Sequence, residues 1–252
     1  MLQRQWAHDG ALLDLTLAGG KGNILDGATM DELSAAVRDA ASRAGTKAIR
    51  IQGAGEHFSF GASVEEHAPA QAATMLGRFH GLFRALDAAA IPTIAVVRGR
   101  CLGGGMELAS WCTWIFASGD ALFAQPEVRL AVFPPIASLV LPWRLGGGAA
   151  MDLCCSGRTW TAHEAKALGL FAELHEDPRA ASEAFFLEHL APRSAFALRH
   201  TERAVRHGLS RQLREELPRL EKQYLTELMQ SHDGPEGIAA FMEKRPPAWE
   251  HR

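Results

Sequence analysis

Cys101-Leu-Gly-Gly-Gly-Met-Glu-Leu-Ala109 and, after an apolar interval, Gln125-Pro-Glu127 carry the densest information in the chain. Before them, Ile91-Pro-Thr-Ile-Ala-Val-Val97 reads as a buried strand that Gly99 ends. The glycine triplet then opens a helix, with Glu107 in its first turn. Backbone N–H groups at a helix start have no intrahelical acceptor and lie at the positive end of the helix dipole, so they can hold an oxyanion. Trp114, Ile115, Phe116, Leu122 and Phe123 separate Glu107 from Glu127. A carboxylate among such neighbours rises in pKa toward the range useful for proton transfer. An oxyanion site beside two carboxylates suits an enzyme that stabilises an enolate.

Plainer readings stand beside this one. The triplet could be a tight turn needing positive φ. Glu107 could be an N3 capping acid and Glu127 a surface acid after Pro126. The pattern is neither a G-x-G-x-x-G dinucleotide fingerprint nor a P-loop, since no Gly-Lys-Ser/Thr follows. Upstream, His57-Phe-Ser-Phe-Gly-Ala-Ser63 follows the predicted strand Lys47–Gln52. Gly61-Ala62 lets the backbone approach a ligand closely. The plain alternative there is an N-cap at Ser63 with Glu66 completing a capping box.

Outward from these segments, the periodicity predicts strands at 11–18, 47–52, 91–97, 114–117 and 122–124. Helices are predicted over 30–44, capped by Asp26 or Thr29, over 64–90 except at Pro69, and from Gly104. This alternation implies an α/β core with crossover connections. After residue 134 the pattern is helical: 134–145, 149–156, 162–168, 178–190, 195–208, 210–229 and 235–244. We divide the chain into a core over 1–190 and a C-terminal helical region over 191–252; Gly157 and Pro178 mark earlier points where the pattern turns helical.

With 252 residues, 47% hydrophobic and 22% charged, the chain can bury one large core. A formal charge of −3 argues against general polyanion binding. No apolar run is long enough to span a bilayer, and residues 1–8 lack a signal-peptide pattern, so a cytoplasmic location is expected. Cys101, Cys112, Cys154 and Cys155 have no C-x-x-C spacing and lie in apolar sequence. They are expected to be buried free thiols with no zinc site.

The chain resembles the enoyl-CoA hydratase/isomerase (crotonase) superfamily. The resemblance rests on Phe58-Ser-Phe-Gly-Ala62, Gly99-x-Cys-Leu-Gly-Gly-Gly-Met-Glu-Leu-Ala109, Phe123-Ala-Gln-Pro-Glu127, Ser156-Gly-Arg-x-x-x-Ala-x-Glu-Ala165, Gly169-Leu170 and Glu236-Gly-x-x-Ala-Phe-x-Glu-Lys-Arg245. Their order and spacing cover essentially the whole chain. It implies a crotonase-like (ββα) spiral core with a C-terminal helical trimerisation region, and assembly as a homotrimer or a dimer of trimers. The N–H groups of Ala62 and Gly104 would form the oxyanion hole for a thioester carbonyl, contributing about 3–4 kcal/mol per donor at most. Glu107 would act as base on water, and Glu127 would give a proton to carbon. Ala62, Ser63, Val64, Glu65 and Gly104 would line the path of coenzyme A, which arrives as part of the acyl-CoA substrate; no metal or redox cofactor is implied. The expected activity is hydration of a conjugated enoyl- or dienoyl-CoA, with double-bond isomerisation or a non-catalytic RNA-binding relative as alternatives.

Three positions depart from the family's usual pattern. Ser63 stands where Asp is common, and no basic residue lies near Glu65 to hold the nucleotide. Phe133-Pro-Pro-Ile-Ala-Ser-Leu-Val-Leu141 replaces a glycine-rich segment, so Phe133, Pro134 and Ile136 are expected to reshape the acyl pocket. The segment Phe58-Ser-Phe-Gly-Ala-Ser-Val-Glu-Glu-His67 resembles a subgroup of cyclohexa-1,5-diene-1-carbonyl-CoA hydratases. The histidines at 57, 67, 80, 163, 175 and 200 are expected at the surface or in packing. Arg199, Arg203, Arg206, Arg211 and Arg214 are read as a solvated or intersubunit face. No aromatics interleave with them as RNA binding would need.

Overall fold

Leu12–Leu17 (β2) alternates only weakly in polarity, and nearly all of it is buried, as expected of a strand covered on both faces. It pairs in parallel with Ala48–Gly53 (β3), which pairs with Thr93–Val97 (β4), which pairs with Trp114–Ala117 (β6). Leu2–Ala7 (β1) adds an antiparallel edge. This arrangement comes from a computed structural model that describes residues 1–252 apart from the side chain of Lys21. A second sheet joins Arg100–Leu102 (β5), Leu122–Ala124 (β7) and Thr159–Thr161 (β8). Strands β1, β5 and β8 were not anticipated. Two of them are three-residue segments set just after glycine turns and just before helices, and β1 is an edge strand with three exposed residues.

Helix Gly27–Ser42 (α1) is capped by Asp26, whose carboxylate accepts from Thr29 N at 2.8 Å. Leu33, Val37 and Ala40 bury its apolar face beside Ala72–Ala89 (α2) and Leu13, Leu15 and Leu17 of β2. The predicted helix over 64–90 is instead a single 3-10 turn, Glu65–His67, and then α2, with Pro69 between them. The other face of the sheet buries Leu12, Ile94, Val96 and Phe116 against Phe186 and Leu190. On that face Asp14 and Arg50 pair across the β2–β3 register at 2.6 and 2.9 Å.

The chain winds as a repeated unit of one strand from each sheet and then a helix. β3, the extended residues at Phe58–Ser59 and α2 make one turn. β4, β5 and Gly104–Trp111 (α3) make the next. β6, β7 and Pro135–Leu145 (α4) make a third. This is the ββα spiral that the family resemblance implied.

The rest is helical: Gly147–Ser156 (α5), Ala162–Ala167 (α6), Pro178–Phe185 (α7), Ala195–Val205 (α8), His207–Glu215 (α9), Leu217–Thr226 (α10) and Asp233–Met242 (α11). The predicted helices at 195–208 and 210–229 regroup as α8, α9 and α10, with breaks at Arg206 and Glu216. Helix α10 packs on α2 and α4, and α11 packs on the Pro126–Leu130 turn. Among the described residues, no helix is long and apolar enough to cross a membrane.

Candidate active site

Three short extended segments run side by side and in parallel. Ser59 bridges Cys101, with Leu102 N donating to Ser59 O at 2.9 Å. β5 pairs with β7 in the register Arg100↔Leu122, Cys101↔Phe123, Leu102↔Ala124, and Gly103 N continues it to Ala124 O at 2.9 Å. Whatever follows each segment therefore emerges at one place: Ala62 from the first, Gly104 and Glu107 from the second, Glu127 from the third. The 20-residue gap between the acids closes because β6 belongs to one sheet and β7 to the other, so the chain returns beside β5.

Gly61 adopts φ +100°, and a Cβ there would stand 2.8 Å from Leu102 O and 3.1 Å from Gly104 N. A Cβ on Gly104 would in turn lie 3.1 Å from Ala62 N. The Ala62 and Gly104 amides are thus neighbours because Gly61 and Gly104 lack side chains. Among the described residues, neither Ala62 N nor Gly104 N has a hydrogen-bond acceptor. Gly104 is the first residue of α3, so its N–H also carries the positive end of the helix dipole. Gly103, at φ +50° and ψ −128°, turns the chain from β5 into the helix; a Cβ there would meet Glu127 Oε1 at 2.8 Å.

Glu107 does not cap its own helix at N3. It occupies the fourth position of α3, is 3% exposed, and its carboxylate accepts from Ala137 N at 2.8 Å at the start of α4. Burial raises its pKa well above the carboxylate range, against the opposing pull of the Ala137 and Ile136 amides. Glu127 is not a surface acid. It is half-buried, faces the same pocket, and has its pKa raised by burial and then by the charge of Glu107. With its amide turned to donate, Gln125 reaches both Glu127 oxygens at 3.1 Å. Two acids sharing one poorly hydrated pocket hold protons into the neutral range, so one can act as base while the other acts as acid.

The pocket encloses about 70 Å³ and contains Ala62, Gly104, Glu107 and Glu127 together. Phe60, Val64, Leu76, Phe79, Leu130 and Phe133 make much of its wall. The other expected positions divide. Phe133 and Pro134 line it, but Ile136 does not: its side chain is fully buried in the core, while its backbone N–H faces Glu107. Val64 lines it, whereas Ser63 and Glu65 do not. Ser63 and Glu66 form no capping box. Glu66 instead accepts from Gly27 N at 3.1 Å, tying this loop to α1.

Leu76, Phe79 and Leu130 were not anticipated, and neither were three further contributors. Pro135 adds to the wall beside Pro134. His67 also lines the pocket, with Nδ1 2.7 Å from Ser63 O, and burial lowers its pKa, so its ring is a neutral donor to that carbonyl. Tyr224 of α10 reaches the same pocket from the C-terminal region. Its rarity was the one available signal, because it is the chain's single tyrosine.

Elsewhere, Cys155 is exposed and Cys154 partly so, contrary to the expectation of four buried thiols. Among the described residues, no three His, Cys, Asp or Glu side chains cluster as a metal site would. The basic segment is not wholly a solvated face. Arg206 is buried and bonded to Trp111 O at 2.6 Å and to Glu202, and Arg199 donates to Ala41 O at 3.0 Å and Arg43 O at 2.6 Å at the end of α1.

The sequence profile of the enoyl-CoA hydratase/isomerase family matches residues 8–252. The chain belongs to the enoyl-CoA hydratase/isomerase family. It is an enzyme of the enoyl-CoA hydratase type. It is 45% identical over 245 residues to a cyclohexa-1,5-dienecarbonyl-CoA hydratase of Thauera aromatica, covering 97% of this chain and 95% of that protein. A 2,3-dehydroadipyl-CoA hydratase of Escherichia coli is 31% identical over 233 residues, with 91% of each chain covered. Among solved structures, an enoyl-CoA hydratase from Mycobacterium avium subsp. paratuberculosis superposes with a TM-score of 0.85 at 27% identity, covering 98% of both chains.

Proposed function

We propose that this family member adds water to a conjugated dienoyl-CoA thioester of the cyclohexa-1,5-diene-1-carbonyl type. The observation that carries the reading is the convergence of two unpartnered amides and two raised-pKa carboxylates on one pocket. The thioester carbonyl accepts from Ala62 N and Gly104 N, which draws electron density out of the conjugated system. Glu107 takes a proton from water as the water oxygen bonds to the electron-poor carbon. The negative charge moves to the carbonyl oxygen, where the two amides stabilise it. Glu127, which keeps its proton because the pocket desolvates it and the charge of Glu107 opposes its ionisation, gives that proton to the enolate carbon. A proton passing from Glu107 to Glu127 restores the starting state. This is proton transfer throughout, so it needs no redox group, and coenzyme A enters and leaves with the acyl chain.

Two features support a cyclic acyl group. The proline pair Pro134-Pro135 makes a stiff wall beside Phe133, and the 45% identical relative bears a cyclohexadiene name. We also assign self-association as a trimer or dimer of trimers. Phe196, Val205 and Met151 are 73%, 66% and 66% exposed, and an assembly would cover such apolar side chains.

The test is hydration of cyclohexa-1,5-diene-1-carbonyl-CoA and crotonyl-CoA in parallel, by wild type and by Glu107→Gln. We expect wild type to prefer the cyclic thioester and the variant to lose at least about a hundredfold in kcat. A preference for crotonyl-CoA would replace the cyclic assignment with a linear one. No hydration of either would leave isomerisation as the chemistry of this pair of acids.

A further inference from the structure

Tyr224 is 1% exposed, and its hydroxyl oxygen is buried with no hydrogen-bond partner among the described residues. A phenol in such a place ordinarily finds a partner, because a buried hydroxyl that gives up its bonds to water without replacing them destabilises the fold. A phenylalanine would fill the same volume without that cost. The residue lines the pocket that holds Glu107, Glu127, Ala62 and Gly104.

Its placement is well supported. The ring meets Phe133 edge-on, with centroids 5.7 Å apart. One turn earlier on α10, Glu221 binds His80 Nδ1 and Arg84 of α2, each at 2.7 Å. Helix α10 is therefore fastened to α2, and the phenol is held against the pocket wall. Burial and the nearby acids raise the Tyr224 pKa, so the group is a neutral donor and not a base.

We propose that the Tyr224 hydroxyl donates a hydrogen bond to the oxygen that water contributes: to the water before addition and to the new hydroxyl group of the product afterwards. It is thus a further polar contact in the pocket beside the two amides and two carboxylates, one that selects for the hydroxylated acyl group and fixes the direction from which water arrives. The inference rests on the hydratase reading.

The experiment compares wild type, Tyr224→Phe and Tyr224→Leu. Calorimetry measures binding of two thioesters that differ by one oxygen, hydroxycyclohexene-carbonyl-CoA and cyclohexene-carbonyl-CoA. Loss of one hydrogen bond should weaken the hydroxylated ligand about tenfold in both variants and leave the other ligand unchanged. Tyr224→Phe should keep or raise the melting temperature and lower kcat/KM for hydration. Equal weakening of both ligands, or of neither, overturns the proposal and leaves Tyr224 as a packing residue. Wild-type turnover is scored separately. Its absence overturns the hydratase reading and this inference together, whereas turnover with unselective variants overturns only the inference.

Discussion

Glu107 and Glu127 share a pocket but are held by different means. Two amides at the start of α4 face Glu107, while Glu127 lies against Gly103 and beside the Gln125 amide. Replacing either acid by Gln should lower kcat by about 10²–10⁴-fold, measured by loss of the conjugated thioester's absorbance. The rate should rise and then fall with pH, since the reaction needs one acid ionised and one protonated; Glu127→Gln should remove one limb. The pair also bears on stability. Unfolded, both carboxyls ionise above pH about 4.3. Folded, their raised pKa values make the native chain bind more protons than the unfolded chain, so stability declines as pH climbs through the neutral range. Glu127→Gln should therefore melt higher than wild type at pH 8 and no higher at pH 4, by calorimetry at both values.

At the scale of elements, the parallel ladder of Ser59, β5 and β7 assembles the site, and glycines let the segments touch. Gly103→Ala would force a Cβ against Glu127 at a φ that favours glycine. Gly10, at φ +85°, has open space around it. We expect Gly103→Ala to lose both stability, by about 1–3 kcal/mol, and activity, whereas Gly10→Ala should lose stability alone. Urea unfolding and initial rates on both variants would show it. Much at this scale was legible. The glycine triplet, the small Gly61-Ala62 pair and both acids stood out as candidates by residue type and spacing, the pocket brings them together, and β6 and β7 were bounded correctly. The strand β5 was not, because Arg100-Cys-Leu102 lies between Gly99, which reads as a strand end, and the glycine triplet, so its three residues read as part of a turn. Without β5 nothing in the sequence says that residues 104 and 127 meet. Ile136 was misplaced for a similar reason: whether an apolar helix residue lines a cavity or fills the core depends on the angle at which α4 lands.

At the scale of the molecule, the C-terminal helices close over the core. Glu202 and Arg206 pair in buried surroundings, and Thr113 donates to Glu202 at 2.9 Å. Removing one partner strands the other charge, so Glu202→Ala should cost about 3–5 kcal/mol in urea unfolding. Arg206→Glu should likewise unfold the chain, while Arg203→Glu, at an exposed position, should leave stability near wild type. A charge reversal at Arg206 thus reads folding, and nucleic-acid binding is tested at exposed arginines such as Arg203. Docking of α10 is also what brings Tyr224 to the acids.

Residue order determined the alternation of strands and helices, the glycine turn before α3 and the two acids as candidates, because each depends on local chemistry: glycines that permit a turn, carboxylates in apolar sequence, a helix start with free N–H groups; the ββα spiral and the pairing of the Ala62 and Gly104 amides were expected only from the resemblance to the family. The tertiary structure decided the rest. Register across β5 and β7 brings Glu107 beside Glu127, the landing of α4 supplies the amides that hold Glu107, and the return of α10 adds a phenol from about a hundred residues downstream. These are long-range contacts, set by how whole layers pack, and no periodicity within a segment encodes them.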